Sequence, residues 1–491
     1  MTFLLYICSP SQAIMLSTIK TIFLTIAFVL CLPAFSIGQR AWNLQQCVEH
    51  ALKNNISVKQ SEISMEQAKI SMQQKKWQLV PSLNGSVSDN FNFGRSVDPT
   101  TYRYTNEQIQ SANFSLSSNL TLFNGFQLQN ELRQSQLDYM AGKFDLQKIK
   151  NDISINVTSA FLQVLYAKEQ LGSARNRLNQ SEKERDRTKA LTEAGSLTQG
   201  NFLDAEAQLA NDELAVINAE NQYVIANLSL AQLLELDSSD SMKVEEPVTN
   251  FPDVSILSQS SQEIFQMAEQ SLPEMKGSIY KVRSAEKGLA IAKGARSPRL
   301  SMFGSMSTGY SSAAQRPFGT PTLLGLFPNG DQTTSGEAVL SPLYSFQTEK
   351  TSFSDQWDQN NNKAVGFSLS IPLFNGWSVG SNISRAKLNL KNAEYGSELT
   401  RKLVYKSIQQ AYADAIGAQK KFAAAQKSKD ALSASFNYTE KKYNAGLISS
   451  LDFLTIKNNL ARAESDFIQA KYDYIFRVKV LDFYAGKPLT L

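Results

Sequence analysis

The chain has 491 residues, with 49 Lys and Arg against 45 Asp and Glu, and its formal net charge is only +4. Charges of both signs are spread evenly along the sequence, which argues against an electrostatic nucleic-acid binder and is typical of a solvated surface.

The N-terminal segment has the pattern of a secretory signal. Lys20 is its one charged side chain before residue 39, the apolar run 21–32 follows, and Ser36-Ile37-Gly38 supplies small residues for cleavage. We therefore predict a signal peptide over 1–38 and an exported mature chain. A non-cleaved anchor is the alternative, although the run is short for a span of ~20 residues.

The cysteines predict no disulfide framework. Cys47 is the one cysteine that remains after removal of the predicted signal, so the mature chain has no intramolecular disulfide. Cys31 follows Leu30, where a lipoprotein signal needs a small residue, so an N-terminal lipid anchor is disfavoured but stays open.

The first predicted element after the signal is a helix over about Leu44 to Leu79, which Pro81 ends by removing a backbone donor. The apolar period then changes to two. Alternation with Asn, Ser and Thr predicts a strand, whose apolar positions are Phe114, Leu116, Leu120 and Leu122. Its partner is predicted over Gly85 to Phe93.

A long helix is predicted after Gly125, because the stretch to Thr192 is nearly free of Gly and Pro and would span ~100 Å at ~1.5 Å per residue. Ala194-Gly195 then turns the chain back into a second long helix. Both helices have apolar residues at heptad spacing. In the first helix these are Ile153, Val157, Ala160, Val164, Ala167, Leu171, Ala174 and Leu178, and in the second Leu203, Ala207, Ala210, Leu214, Ile217, Val224 and Leu228.

The second half of the chain repeats the first. Leu122-Phe123-Asn124-Gly125 returns as Leu373-Phe374-Asn375-Gly376 at an offset of 251 residues, and the turn Ala194-Gly195 returns as Ala445-Gly446. Upstream, Pro81 matches Pro298 at an offset of 217, which places a 34-residue insertion in the second half. The repeat predicts a second pair of strands and a second helical hairpin.

The predicted strands have one apolar and one small polar face. Four such strands cannot close a barrel, because about eight are needed, so several chains must contribute. The connections over about Gly94 to Ser111 and Ser311 to Lys363 are rich in Ser, Thr, Asn, Gly and Pro, as in exposed barrel loops. A soluble sandwich edge with a disordered insert remains the alternative.

These patterns divide the chain into a signal peptide (1–38), a first repeat (39–236), a linker (237–261) and a second repeat (262–487). Within the repeats, 84–123 and 300–374 are the predicted barrel strands with their loops.

The order of these parts resembles the TolC family of outer-membrane channels over about residues 40–487. Pro372-Leu373-Phe374-Asn375-Gly376 is similar to the strand-to-helix junction of that family, and the segment Ala445-Gly446-Leu447-Ile448-Ser449-Ser450-Leu451-Asp452 is similar to its hairpin-tip motif. The resemblance implies a mainly α fold with a β-barrel part. Three chains would form a 12-stranded transmembrane barrel and a 12-helix coiled-coil cylinder in the periplasm, with 237–261 in an equatorial belt.

The same resemblance implies a function and partners. The protein would be a passive outer-membrane conduit of a tripartite efflux or type I secretion system, and its apolar barrel face would meet outer-membrane lipid. Its partners would be two further copies of itself, a periplasmic adaptor protein and an inner-membrane pump. The adaptor would dock on the tips Gly195, Ser196, Leu197, Thr198, Gly446, Leu447, Ile448 and Ser449.

Acidic residues just after the tips are candidates for the periplasmic aperture. In the family, carboxylates after the second tip motif ring the channel mouth, and Asp452 matches that position, whereas the first half has Asn201 there and its acid, Asp204, three residues later. The second acid of the family is Thr455 here, so the composition of the ring departs from the pattern. A helix cap is an equal alternative for Asp452.

Residues for catalysis are scarce. His50 is the single histidine and lies three residues from Cys47, but no further Cys or His of the mature chain completes a transition-metal site. We therefore predict no enzyme activity, no metal and no cofactor. The competing interpretations are a periplasmic coiled-coil adaptor or structural protein, which needs no barrel strands, and a secreted enzyme.

Overall fold

The computed structural model describes residues 41–97, 102, 104–105, 108–236, 244–246 and 254–487. The predicted signal peptide lies outside the described residues, as does much of the predicted linker. The chain passes twice through the same order of elements, which is short helices, then strands, then two long helices.

The helices are α1 (Leu44–Asn54), α2 (Ile56–Trp77), α3 (Gln127–Glu193), α4 (Gln199–Leu233), α5 (Ser261–Ser271), α6 (Pro273–Gly294), α7 (Phe353–Gln359), α8 (Ser378–Asn444) and α9 (Ser450–Tyr484). The strands are β1 (Ser82–Asn92), β2 (Ser96–Val97), β3 (Tyr104–Thr105), β4 (Ile109–Phe123), β5 (Arg299–Ser311), β6 (Gln315–Gln332), β7 (Ala338–Lys350) and β8 (Asn362–Ser370).

The opening helix is broken, and the prediction of one helix from Leu44 to Leu79 is wrong at this point. Asn55 has φ −59° and ψ 130°, outside the helical region. Its buried side chain accepts a hydrogen bond from the Ser57 N–H at 3.0 Å, which starts α2, and donates to the Leu233 carbonyl at 3.4 Å. The capping amide therefore also ties the break to the end of α4.

Four strands form an antiparallel sheet in the order β1-β4-β5-β8, so β1 and β8 are its edges. Directly paired residues point to the same side, and the two sides differ in chemistry. The apolar side carries Leu83, Val87, Phe114, Leu116, Leu120, Met302, Met306, Val365, Phe367 and Leu369. The polar side carries one aromatic exception, Phe303, among small and polar residues, which are Asn84, Ser86, Ser88, Asn113, Ser115, Ser117, Ser301, Ser305, Ser307, Ala364 and Ser368. The predicted alternation is thus present in all four strands.

The long helices confirm the internal repeat. The helices α3 and α8 are both 67 residues long, and α4 and α9 are both 35. A helix of 67 residues is ~100 Å long. Most of the apolar seam predicted on α3 is buried, including Val157, Val164 and Ala174, and so are Ile408, Ala415 and Ala418 of α8.

The apolar seam predicted on α4, unlike that of α3, is not buried within the chain. Leu203, Leu214 and Ile217 are exposed, and α4 packs on α3 instead through Val216 and Leu230. This helix has apolar residues on two opposite faces, and the chain covers one of them. The exposed face has the stronger heptad pattern, which is why it dominates the sequence signal.

The helices pack side by side in a fixed order. Near the sheet the order is α2-α3-α6-α8, and near the hairpin tips it is α4-α3-α9-α8. The lateral elements of the helical part are therefore α2 and α4 on one side and α8 on the other. No helix within the described ranges has an apolar stretch long enough to cross a membrane.

The insertion of the second half is folded, whereas its composition predicted a loop over Ser311 to Lys363. Strands β6 and β7 pair into a long hairpin, which we call the distal hairpin, at the end of the sheet far from the helices. Helix α7 follows it and packs on the apolar side of the sheet, with Trp357 against Phe114 at 5.0 Å between ring centroids. Buried Gln356 bonds to the backbone of Ser311 in both directions, which fixes α7 to the end of β5.

Candidate functional site

The first hairpin tip is a tight turn closed by its own backbone. Gly195 has φ +76°, a conformation that glycine adopts without strain, and its N–H donates to the Thr192 carbonyl at 2.9 Å. The Ser196 N–H donates to the Leu191 carbonyl at 2.8 Å. Thr198 then begins α4, because its side chain accepts a hydrogen bond from the Asn201 N–H.

The second tip has the same construction. Gly446 has φ +71°, and the Leu447 N–H donates to the Lys442 carbonyl at 2.9 Å. Ser449 begins α9 by accepting a hydrogen bond from the backbone N–H three residues later. Both hairpins therefore end in the same kind of turn, as the sequence predicted.

The outer surface of the tips is open. A side chain at Gly195 or Gly446 would meet no neighbouring atom within 4 Å. Leu447 is 73% exposed, and Ile448 and Leu197 are half-buried behind it. Leu447 is therefore accessible just beyond the end of α8, a helix of ~100 Å.

Asp452 and Asp204 are both exposed beside the tips. The Ser449 hydroxyl donates to the Asp452 carboxylate at 2.7 Å and accepts from the Asp452 N–H at 3.1 Å, so Asp452 lies in the first turn of α9, where a negative charge is favoured. The Ser450 hydroxyl donates to the Asp204 carboxylate at 3.2 Å, which joins the first tip to the second.

Further contacts hold the two hairpins together behind the tips. Arg187 of α3 donates to the Asn444 side chain at the end of α8. Within the second hairpin, the ring of Tyr443 of α8 stacks on Phe453 of α9 with 4.4 Å between centroids, which fixes the end that meets the first hairpin. The two tips are therefore joined by hydrogen bonds that each hairpin donates to the other.

A buried ionic cluster lies above this unit and was not predicted from the sequence. The Lys457 ammonium of α9 donates to the Ser181 hydroxyl of α3 at 2.5 Å, and that hydroxyl donates to the Asp212 carboxylate of α4 at 2.5 Å. Lys457 and Asp212 are 3.9 Å apart, with side-chain exposures of 8% and 10%. Burial lowers the pKa of Lys457, and the attraction of Asp212 opposes this shift.

No local motif marks the cluster, since its members come from three helices. At the repeat offset, Lys457 corresponds to Glu206, so the duplication hides it. A lysine one turn after the buried Phe453, on the face of α9 that packs inward, is the single available signal.

The strand-to-helix junctions differ in their surroundings. At Phe123-Asn124-Gly125, Gly125 has φ +68°, and a Cβ there would lie 2.3 Å from the Gly294 carbonyl oxygen at the end of α6. At Phe374-Asn375-Gly376, Gly376 has φ +60°, with no atom within 4 Å of such a Cβ. Phe374 is 88% exposed. The second junction has the same backbone conformation, but no described residue packs closely against Gly376.

Cys47 and His50 are structural residues. Burial raises the pKa of the Cys47 thiol to about 12, which removes the thiolate that binds metals or attacks substrates. His50 packs against Trp42 at 5.1 Å between ring centroids and bonds to Asn54. The described part of the chain contains no group of three or more Cys, His, Asp and Glu that could hold a metal ion.

Comparison with known proteins agrees with this architecture. The chain matches the profile of the outer membrane efflux protein family over residues 47–235 and 264–487. It is 21% identical to the outer membrane efflux protein BepC of Brucella suis over 456 residues, which covers 92% of this chain and 87% of BepC. It is also 27% identical over 123 residues to the alkaline protease secretion protein AprF of Pseudomonas aeruginosa, which covers 25% of this chain and 26% of AprF.

The fold is similar to that of solved channels. The crystal structure of the Campylobacter jejuni CmeC outer membrane channel superposes with a TM-score of 0.72 at 18% sequence identity, over 91% of this chain and 87% of CmeC. A helical part joined to a strand part, as seen here, is therefore the TolC-like channel fold, as the sequence predicted.

The family match together with this fold defines a channel protein of the outer membrane. The chain belongs to the outer membrane efflux protein family. Members of this family are conduits and not enzymes.

Proposed function

We propose that this chain is one of three protomers of a passive outer-membrane duct. Substrate passes from an inner-membrane pump through a periplasmic adaptor into the duct and out of the cell. The observation that carries the proposal is that the chain has an unpaired strand edge and exposed apolar helix residues on both of its lateral sides.

The sheet supports this assembly through its free edges. Strands β1 and β8 each lack a partner on one side within the described chain, and four strands are too few to close a barrel. Three copies in which β8 pairs with β1 of the next copy supply twelve strands. The apolar side of the sheet then faces lipid, and the Ser and Asn side lines water.

The helices support the same order. Helix α2 has exposed apolar residues one heptad apart at Ile56, Ile63, Ile70 and Trp77. The exposed face of α4 continues this pattern near the tips, and α8 exposes Leu388, Tyr395, Leu399 and Leu403 on the opposite lateral side. Heptad stripes of this kind are seams of coiled coils, so α8 of one copy packs against α2 and α4 of the next and closes a twelve-helix cylinder.

The hairpin tips support the partners that we propose for the periplasmic end of the duct. Tip residues 195–198 and 446–449 dock on the adaptor, and the carboxylates of Asp452 and Asp204 from three copies surround the aperture. BepC is named an efflux protein and AprF a secretion protein, so both relatives serve export. The repeats 39–236 and 262–487 form the wall of the duct, and 237–261 belongs to an equatorial belt in the periplasm.

The alternative, a periplasmic coiled-coil adaptor or structural protein, is disfavoured by the sheet. Leu83, Val87, Val365, Phe367 and Leu369 form an exposed apolar surface on its two edge strands. Such a surface fits lipid and is a liability in an aqueous compartment.

The lateral seam can be tested on α4. We expect the double substitution Leu214→Glu and Ile217→Glu to abolish trimers, because burying each carboxylate in an apolar seam costs about 2 kcal/mol or more. Glu213→Lys, which changes an exposed charge next to the seam, is the control and retains trimers. Chemical cross-linking of intact cells gives the measurement. Trimers of normal yield in the double variant would refute the proposed seam.

A further inference from the structure

The distal hairpin exposes apolar side chains on both of its sides. Paired residues place Leu323, Leu326, Leu340, Tyr344 and Phe346 on one side, which we call the first side. Phe318, Phe327 and Leu343 lie on the opposite, second side. All eight are about half exposed or more, so the chain itself covers neither side.

The shaft of the hairpin carries no charge. From Pro317 to Gly330 and from Ala338 to Thr348 the sequence contains no Asp, Glu, Lys or Arg. Charged residues occur at the base, where Arg316 pairs with Glu349 at 2.8 Å, and at the tip, with Asp331 and Glu337. Identical shafts therefore do not repel one another.

The edges of the hairpin are blocked. Pro317, Pro321 and Pro328 lie in β6 and Pro342 in β7, and proline supplies no N–H to a neighbouring strand. This argues against the addition of a further strand at either edge and leaves the two sides as the contact surfaces.

The base of the hairpin has a fixed orientation. Arg316, on the second side, also binds Asp355 of α7 at 2.9 Å, and α7 is held on the apolar side of the sheet. The second side therefore faces α7 at the base, and the first side points away from it. Among the described residues, the first half has no hairpin of this length, since β2 and β3 pair over only two residues each.

We propose that the distal hairpins of three copies pack on one another in a ring at the outer mouth of the duct. This inference rests on the proposed trimer. A ring of identical units needs two different contact surfaces on each unit, since the first side of one packs on the second side of the next. A hairpin that docked on a single flat partner would need one apolar side, whereas this hairpin has two. With strands of ~3.3 Å per residue, the 13 residues of β7 give each hairpin a length of about 40 Å.

Engineered disulfides test the ring. In the double variant Leu326→Cys with Leu343→Cys, the two thiols lie on opposite sides of one hairpin and cannot bridge within a chain. In the ring, position 326 of one copy faces the second side of the next. We expect disulfide-linked dimers and trimers after mild oxidation, lost on reduction. Each single cysteine variant is the control and gives no cross-linked trimer.

A labelling experiment supplies a second measurement on the purified trimer. We expect Tyr344→Cys to react with a bulky maleimide at least about tenfold more slowly than Thr333→Cys at the polar tip, because position 344 is covered. In a sample whose light-scattering mass is that of three chains, fast labelling at 344 or the absence of cross-linked trimers overturns the ring and leaves the proposed function intact. Slow labelling of intact cells together with fast labelling of the purified trimer also overturns it, and assigns the hairpin to lipid or another surface partner. A sample that is not trimeric overturns both proposals.

Discussion

At the scale of single residues, a buried lysine connects three helices behind the tips. Lys457 reaches Ser181 and Asp212, which belong to the other hairpin. A buried charge is tolerated where partners surround it, and the loss of one partner leaves the other uncompensated. Lys457 therefore holds α9 against α3 and α4 behind the hairpin tips.

The stability contributed by Lys457 depends on pH. Because burial lowers its pKa below the ordinary 10.5, the folded protein binds this proton less tightly than the unfolded chain. The cost of the buried charge is fully present below the lowered pKa and is relieved as pH rises from there toward 10.5. We expect the midpoint of thermal unfolding, relative to that of Lys457→Met, to increase over this window. A difference that stays constant with pH would contradict this expectation.

Asp452 lies in the first turn of α9, bonded to the capping residue Ser449, and we propose that it also lines the aperture. The cap depends on the Ser449 hydroxyl and the backbone N–H of Asp452, so Asp452→Asn preserves the cap and removes the charge. We expect this variant to lower the cation selectivity of single channels, because three carboxylates leave the mouth. The reversal potential in a salt gradient measures it, with Glu440→Gln on exposed α8 as control. Unchanged selectivity would leave Asp452 as a cap alone.

At the scale of elements, the parts that local chemistry determines were predictable from the sequence. Gly195 and Gly446 turn the hairpins because a left-handed residue ends a helix, and Asn and Ser alternate with apolar residues wherever a strand has two unlike faces. The break at Asn55 was missed because the apolar period continues through it. The distal hairpin was missed because its prolines and glycines are typical of loops.

Packing partners were harder to predict. The heptad pattern of α4 indicates that a helix packs there but does not say on which chain, since the seam inside the protomer and the seam toward the next copy have the same spacing. The same reasoning applies to Lys457, whose partners are distant in sequence. Such contacts depend on how the hairpins lie side by side.

The hairpin tips give a prediction about docking. We expect Leu447→Glu to reduce export at least about tenfold, which corresponds to about 1.4 kcal/mol of lost adaptor binding, while the trimer persists. Leu447 is preferable to Gly446, whose φ of +71° makes any side chain a source of backbone strain. Leu447→Met keeps the apolar contact and serves as control. Export assays with a parallel measurement of trimer yield separate docking from assembly, and normal export by Leu447→Glu would contradict the docking site.

At the scale of the whole molecule, the sheet and both levels of the helical part each have two lateral ends. The sheet ends at β1 and β8, the helices near the sheet at α2 and α8, and the helices near the tips at α4 and α8. Exposed aromatic residues occur at both lateral ends of the level where strands meet helices, with Trp77 on one side and Phe374 and Trp377 on the other. In the proposed trimer, one repeated interface uses all of these surfaces, with α8 against α2 and α4 of the neighbour and β8 against its β1.

The most direct test is the mass of the complex. We would extract the protein with detergent from the outer-membrane fraction and measure its mass by light scattering, with the contribution of the detergent subtracted. The account predicts three chains, because the four strands of one protomer cannot close a barrel. A monomer or dimer that is soluble without detergent would contradict the duct and favour a periplasmic coiled-coil protein.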